Sequence, residues 1–270
     1  MISLRDLHKS YRQKGGITPV FEGLNLNLPA RRCIGVLGGP GSGKTTLLKL
    51  LCGLEQPDRG EINVDGRVAI PFGHSPALTP QLSARENVTF VARVFGEPME
   101  AMMRKVEELA DLGVNFDHEI GGYDWPPRQR LNYAILMAVD FDWYMVDEQL
   151  PLADPRHRGR FASAFEAIKQ RAGMLIATSR LKVLRQHCDS VIVLHERGAQ
   201  YHEDLESGLL AYRDSRPGGG RQGKARGRGD RKGVRGEDGA IVAPAQRIES
   251  RNTPQRRERP GNRMRRDTNG

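Results

Sequence analysis

Nine residues, GGPGSGKTT from Gly38 to Thr46, constrain this chain more than any other stretch. They follow the apolar run Cys33-Ile34-Gly35-Val36-Leu37 and open the apolar segment Leu47 to Leu51, so a glycine-rich turn sits between a strand and a helix. Gly38, Gly41 and Gly43 let the backbone curl tightly, and the whole loop of Gly38, Gly39, Pro40, Gly41, Ser42 and Gly43 leads into Lys44, Thr45 and Thr46 at the helix start. A loop of this kind turns successive N–H groups and the helix N-terminus toward phosphates. Lys44 would reach the β- and γ-phosphates, and Thr45 would ligate Mg²⁺. The spacing predicts a nucleoside triphosphate site.

Composition limits the setting of that site. The chain has 270 residues, enough for one large α/β domain, and no run of eighteen apolar residues; Met1 to Tyr11 lacks a signal-peptide core. Its three cysteines, Cys33, Cys52 and Cys188, stand singly in apolar surroundings without metal-ligand spacing and read as buried free thiols in a reducing, cytoplasmic setting. The formal net charge of +9 is unevenly placed. Residues 215–270 hold 16 Lys and Arg against 6 Asp and Glu, which leaves residues 1–214 at 26 against 27. The basic stretch is rich in Gly, Pro and Arg and nearly free of aromatic residues. It cannot bury enough apolar surface to offset its chain entropy, and 215–270 is therefore expected to be a disordered, solvated tail. Non-specific phosphate contacts with nucleic acid or anionic lipid are within its reach, but the aromatic rings for base stacking are missing.

Patterning divides residues 1–214 into strands and helices. Short β-rich runs at Ile2 to Leu4, Leu24 to Leu28, Cys33 to Leu37, Glu61 to Val64 and Val68 to Ile70 come early. Ser83-Ala84-Arg85-Glu86 forms a capping box for a helix to about Phe95, and Pro98 to Leu112 is amphipathic with Gly113 as its stop. Beyond it, helices at Leu131 to Val139, Arg156 to Arg171 and Leu181 to His187 alternate with strands at Trp143 to Val146, Met174 to Ala177 and Val191 to Leu194, before a last strand at Gln200 to His202. This order predicts an α/β fold with a mainly parallel sheet core, an antiparallel β side layer and a helical insertion at about 83–140.

Trp143-Tyr144-Met145-Val146-Asp147-Glu148 is a buried strand ending in two carboxylates. Downstream of a P-loop, Asp147 reads as the metal-side carboxylate and Glu148 as the catalytic base that polarises the attacking water. Tyr11, the loop GGPGSGKTT, LSARENV at Leu82 to Val88, WYMVDE and Leu152-Ala153-Asp154 occur in the order and spacing of ATP-binding-cassette (ABC) transporter ATPases, which residues 1–214 resemble throughout. Within that superfamily SARENVTFVARVFG, DLGVNFDHEIGGY, FDWYMVDE and SGLLAYR resemble the ATPase subunits of capsular-polysaccharide exporters. The resemblance implies a peripheral subunit on the cytoplasmic face of the inner membrane. Such a subunit dimerises head to tail, sandwiches ATP and drives a separate membrane permease. It also implies that Tyr11 stacks on adenine. Asp154 either matches the acidic loop that crosses the dimer interface or, preceding Pro155, caps a helix.

The sequence departs from that family in three places. At the signature, where a Ser- and Gly-containing helix start caps the partner's γ-phosphate, it reads Tyr123-Asp124-Trp125-Pro126-Pro127-Arg128. Pro126 and Pro127 have no N–H to donate and Asp124 adds negative charge, yet proline suits a first turn and Asp can cap it. Ser179 takes the place of the switch histidine, with a shorter, uncharged side chain. His74 occupies the usual glutamine of the loop that senses Mg²⁺ and touches the permease; Gln81, nearby, lacks the expected offset and reads as solvated. His118, His157, His187, His195 and His202 lack helical metal spacing and read as surface or partly buried. The degenerate motifs leave two arrangements open: a slow homodimer, or an asymmetric dimer with an intact cassette subunit. A non-hydrolysing nucleotide-binding regulator and a nucleic-acid-associated P-loop protein are the competing classes. Glu148 argues against the first and the near-neutral core against the second.

Overall fold

The computed structural model describes residues 1–13, 15–72, 78–148, 150 and 157–215. Contacts divide the chain into Met1–Gln222 and Gly223–Gly270, and every described residue belongs to the first unit. The basic tail beyond Ser215, His74 and Asp154 all lie outside the described residues.

A five-stranded sheet carries the fold. Its order is β5 (Trp143–Asp147), β6 (Gly173–Ala177), β3 (Cys33–Leu37), β7 (Ser190–His195) and β8 (Gly198–His202); all pairs are parallel except β7 with β8. The four parallel strands are buried on both faces, and alternate residues serve two cores. Tyr144, Val146, Met174, Ile176, Val191 and Val193 face the helices, whereas Met145, Leu175, Ala177, Ile192 and Leu194 face the β-layer and α1 (Lys44–Leu51). This double burial explains why these strands read as continuous apolar runs. The β-layer is the antiparallel set β2 (Gly16–Leu28), β1 (Ile2–Gln13) and β4 (Arg59–Val64).

The expected elements are present, with informative differences in extent. β1 runs far beyond Leu4, to Gln13, because its outer half pairs with β2 down to Gln13 opposite Gly16. The strand expected at Val68 to Ile70 is reduced to isolated parallel bridges, Val68 with Trp143 and Phe72 with Val146. Pro71 between them has no N–H, so no continuous ladder forms. The capping box is complete: the Glu86 N–H donates to Ser83 Oγ at 3.2 Å and the Ser83 N–H to Glu86 Oε2 at 2.8 Å, opening α2 (Ala84–Phe95). The next helix, α3 (Met99–Ala110), ends before the expected stop, at Asp111, whose φ of 47° closes it ahead of Gly113. α4 (Trp125–Ala138) starts a turn and a half earlier than its apolar pattern suggested and is enclosed from Leu131 to Ala138, which removes any helical periodicity there. α5 (Arg158–Arg171) and α6 (Leu181–His187) follow, and α7 (Leu205–Ser215) was not anticipated as a helix. Its signal was present: Asp204 Oδ2 accepts the Ser207 N–H at 2.8 Å, a capping arrangement.

Two readings need correction. Cys33 and Cys188 do not stand singly, because the start of β3 and the end of α6 bring their Sγ atoms to 3.9 Å, both buried and free. The Cys33 thiol alongside, and burial, push the Cys188 thiol above its ordinary range. His187 is buried rather than partly so, packed edge-on against Phe165.

Candidate functional site

β3 ends at Leu37 and the chain turns at once into the glycine loop, whose shape depends on two close approaches. A Cβ on Gly38 would lie 2.2 Å from Ser42 Oγ. Gly43 has φ +96°, and a Cβ there would strike Val20 and Phe21 of β2. The β-layer therefore presses on the loop from behind and sets its curvature. Lys44 lies back along the loop, its ammonium donating to the carbonyls of Gly38 at 2.9 Å and Gly39 at 3.2 Å. Helix α1 begins at Lys44 with no side chain capping its first turn. Its leading N–H groups and positive dipole end are left to an anion. Ser42 Oγ is buried without a hydrogen-bond partner, a further polar atom that phosphate would satisfy.

The acidic strand end reaches this loop across the sheet. Thr45 Oγ1 donates to Asp147 Oδ2 at 2.7 Å, joining residues 102 positions apart. These are the two oxygens assigned to metal from sequence, and the fold makes them neighbours. Tyr11, at the outer end of β1, hydrogen-bonds through its hydroxyl to Glu55 and approaches Thr46 Oγ1 at 3.4 Å, so it too stands at the loop.

Glu148 faces another way. Its φ is +57°, left-handed for a residue with a Cβ, and its N–H donates to Ala177 O at 2.8 Å. The carboxylate is engaged by the segment after β6: Oε2 accepts from Thr178 Oγ1 at 2.9 Å, and Oε1 from the Ser179 N–H at 3.1 Å and Ser179 Oγ at 3.4 Å. Arg180 Nη2 donates to the Glu148 carbonyl at 2.5 Å. Thr178 and Arg180 were not singled out from sequence. The adjacent strand end was the available signal, but only the register of β5 against β6, Asp147 beside Ala177, reveals it. Beyond Glu148 opens a cavity of about 610 Å³ bordered by Trp125, Gln129, Tyr133, Arg180 and His187. This space adjoins the Glu148 side of the strand end.

Asp124 sits at the N-cap of α4 but its side chain makes no cap hydrogen bond, contrary to the role expected for it. Pro126 falls in the first turn behind a Trp125 that is 69% exposed. The helix start survives with few donors on offer. Gln81 is exposed, as expected, and His157 pairs with Asp111 at 3.2 Å. Among the described residues no group of His, Cys, Asp and Glu forms a metal cluster, and no helix is long and apolar enough to cross a membrane.

A parallel sheet with a glycine loop, lysine and threonine at the end of one strand and a carboxylate pair at the end of another defines a P-loop nucleotide-binding protein of the cassette type. Residues 21–150 match the ABC transporter family model. The chain is 34% identical over 216 residues to the polysialic acid transport ATP-binding protein KpsT of Escherichia coli, covering 79% of this chain and 96% of that protein. It is 30% identical to the capsule polysaccharide export ATP-binding protein CtrD of Neisseria meningitidis serogroup B, covering 78% and 98%. A solved ATP-binding subunit of an ABC transporter shares the fold, with a TM-score of 0.67 and 19% identity over 78% of this chain and 94% of that one. The chain belongs to the ABC transporter ATP-binding family, whose members bind and hydrolyse ATP.

Proposed function

We propose that this protein is the ATP-hydrolysing subunit of an exporter for capsular or other cell-surface polysaccharide, acting on the cytoplasmic face of the inner membrane with a separate permease. The observation that carries the nucleotide chemistry is the Thr45–Asp147 contact, which joins the glycine loop to the carboxylate pair. The substrate class rests on the capsule-export relatives. Gly38 through Gly43 would wrap the phosphates, Lys44 would exchange its two carbonyl partners for β- and γ-oxygens, and Thr46 would close the helix start. Thr45 and Asp147 would hold Mg²⁺, which supplies charge neutralisation on the phosphate oxygens when bound. Tyr11 offers a ring for the adenine. Glu148 would take a proton from water once its carboxylate leaves Thr178 and Ser179.

An apolar groove of about 240 Å³ is the surface we assign to the permease. Val68 and Ile70 line it with Val94, Phe95 and Phe141, beside Phe90, which is 55% exposed. Val68 bridges to Trp143 and Phe72 to Val146 of β5, the strand that ends at Asp147, so an apolar helix seated in the groove would bear on that strand. Two cassettes are required for a sandwiched site, and the proline-bearing start of α4 favours a slow homodimer or an asymmetric partnership over a fast homodimer. Residues 1–214 form the nucleotide-binding unit in this reading and the tail is dispensable for it, so a chain truncated after Asp214 should bind ATP with unchanged affinity. The reading is tested by affinity isolation from detergent-solubilised membranes. The expected result is retention of a polytopic partner and ATP turnover abolished by Glu148→Gln. ATP binding without any Glu148-dependent turnover, with or without partner, would favour a non-hydrolysing regulator.

A further inference from the structure

Glu55 lies just beyond α1 and gathers groups from three parts of the chain. The Tyr11 phenol donates to its Oε2. Lys9 Nζ stands 3.4 Å from the same oxygen, and Lys49 Nζ, on α1, stands 3.3 Å from Oε1. The Glu55 N–H donates to Lys49 O at 3.2 Å, which fixes its backbone to the end of that helix. Lys9 is held in turn by Gln56 O at 2.8 Å and lies 5.1 Å from the centre of the Tyr11 ring. The carboxylate is only 20% exposed and the Lys9 side chain 13%. Burial pushes the Glu55 carboxyl up, but the hydrogen bonds from Tyr11, Lys49 and Lys9 outweigh it and hold the group below its ordinary value. Burial and then the neighbouring carboxylate push the Tyr11 phenol up, so the phenol remains the donor.

A ring swinging freely at the end of a strand loses rotamer freedom when a base stacks on it, whereas a ring pinned at its hydroxyl has lost that freedom beforehand. We propose that Glu55 is a positioning residue for base recognition: by pinning the Tyr11 hydroxyl to the end of the P-loop helix, it presets the ring as a platform for the purine. The proposal rests on the reading of Tyr11 as that platform. It separates Glu55 from the phosphate machinery, because Lys9 and Lys49 both point to the carboxylate while the phosphate lysine is Lys44.

The test compares two ligands by calorimetry on the full chain, MgATP and inorganic tripolyphosphate, which has no base. Glu55→Ala and Tyr11→Phe should each weaken ATP by roughly three- to tenfold, the scale of one rotamer-rich side chain left to be ordered on binding, and leave tripolyphosphate within about twofold. The double variant should be no worse than either single one. Glu55→Gln, which still accepts from the phenol, should keep most of the ATP affinity. Equal weakening of both ligands by Glu55→Ala would overturn the proposal, since Glu55 would then act on the phosphate loop through Lys49. Additive effects in the double variant would overturn it as well. Tyr11→Ala separates the two layers of the argument. If it leaves the ratio of the two affinities unchanged, the Tyr11 reading fails; if it lowers the ratio while Tyr11→Phe and Glu55→Ala do not, only the role of Glu55 falls. Should Glu55→Ala misfold, Glu55→Met, which keeps the bulk and loses the acceptor, takes its place in the same comparison, because Tyr11→Phe also removes the contact with Thr46.

Discussion

The two carboxylates at the end of β5 are adjacent in sequence and belong to different neighbourhoods. Asp147 turns to the glycine loop and meets Thr45, whereas Glu148, in a left-handed conformation, turns to the segment after β6 and is clasped by Thr178 and Ser179. The half proposed to hold phosphate keeps its glycine loop, Lys44, Thr45 and Asp147 within one chain, and only the Lys44 contacts and the Thr45–Asp147 bond would have to give way to nucleotide and metal. In the half proposed to carry hydrolysis, the carboxylate expected to act as base is hydrogen-bonded by Thr178 and Ser179, Ser179 stands at the position expected for the switch residue, and a proline falls in the first turn of α4. On the proposed reading binding and turnover are expected to come apart: retained chemistry would support the first, and depleted chemistry would slow the second.

The comparison breaks most visibly at Lys44. Lys44→Ala should abolish measurable binding of a γ-phosphate-bearing nucleotide, a loss of at least about a hundredfold, because the charge-assisted bonds and the closed loop go together. Unchanged affinity by calorimetry would remove the phosphate half from the argument. Next in size is the turnover of the protein alone. With a preorganised donor missing from each site, hydrolysis should run on the order of 10²- to 10³-fold below that of a cassette with a complete signature. Restoring donors with Pro126→Ser and Pro127→Gly should recover at least part of that deficit, and family-level turnover by the unaltered protein would show that nothing was lost. In an asymmetric dimer with an intact partner, activity should depend on Glu148 here more than on the partner's equivalent base.

A smaller effect probes the clasp. Thr178→Val removes one hydrogen bond to the Glu148 carboxylate and, since that carboxylate must leave Thr178 to act, should raise kcat by up to about tenfold while leaving the ATP dissociation constant unchanged. A fall would mean instead that Thr178 aims the base. No change in kcat would mean that the clasp is dissolved in the working state. The smallest effect lies outside the chemistry. Burial, and then Lys169, hold His187 below its ordinary value of 6.5, and Glu166, 3.7 Å away, only partly opposes this. A histidine depressed in the folded state contributes stability above pH 6.5 that is lost as pH falls through its folded value. The melting temperature should thus decline by a few degrees from pH 7.5 toward pH 5.5, and His187→Gln should flatten that slope while ATP affinity at pH 7.5 stays the same.

Much of this site was legible without coordinates. The string Gly38 to Thr46 has few other uses, since its glycines answer to backbone curvature and its Lys and Thr to phosphate and metal. The carboxylates of β5 were legible for the same reason, because an apolar run ending in two acids needs a buried strand and an exposed tip. Local patterning also determined the capping box at Ser83 and the strand Cys33 to Leu37. What only the assembled sheet decided were relations between distant segments: Thr45 against Asp147, Cys33 against Cys188, the clasp of Thr178 and Ser179 on Glu148, and Glu55 beneath Tyr11. None of these pairs is near in sequence. Strand order and register bring them together, and both arise from packing summed over two cores, a quantity that no local window of residues contains.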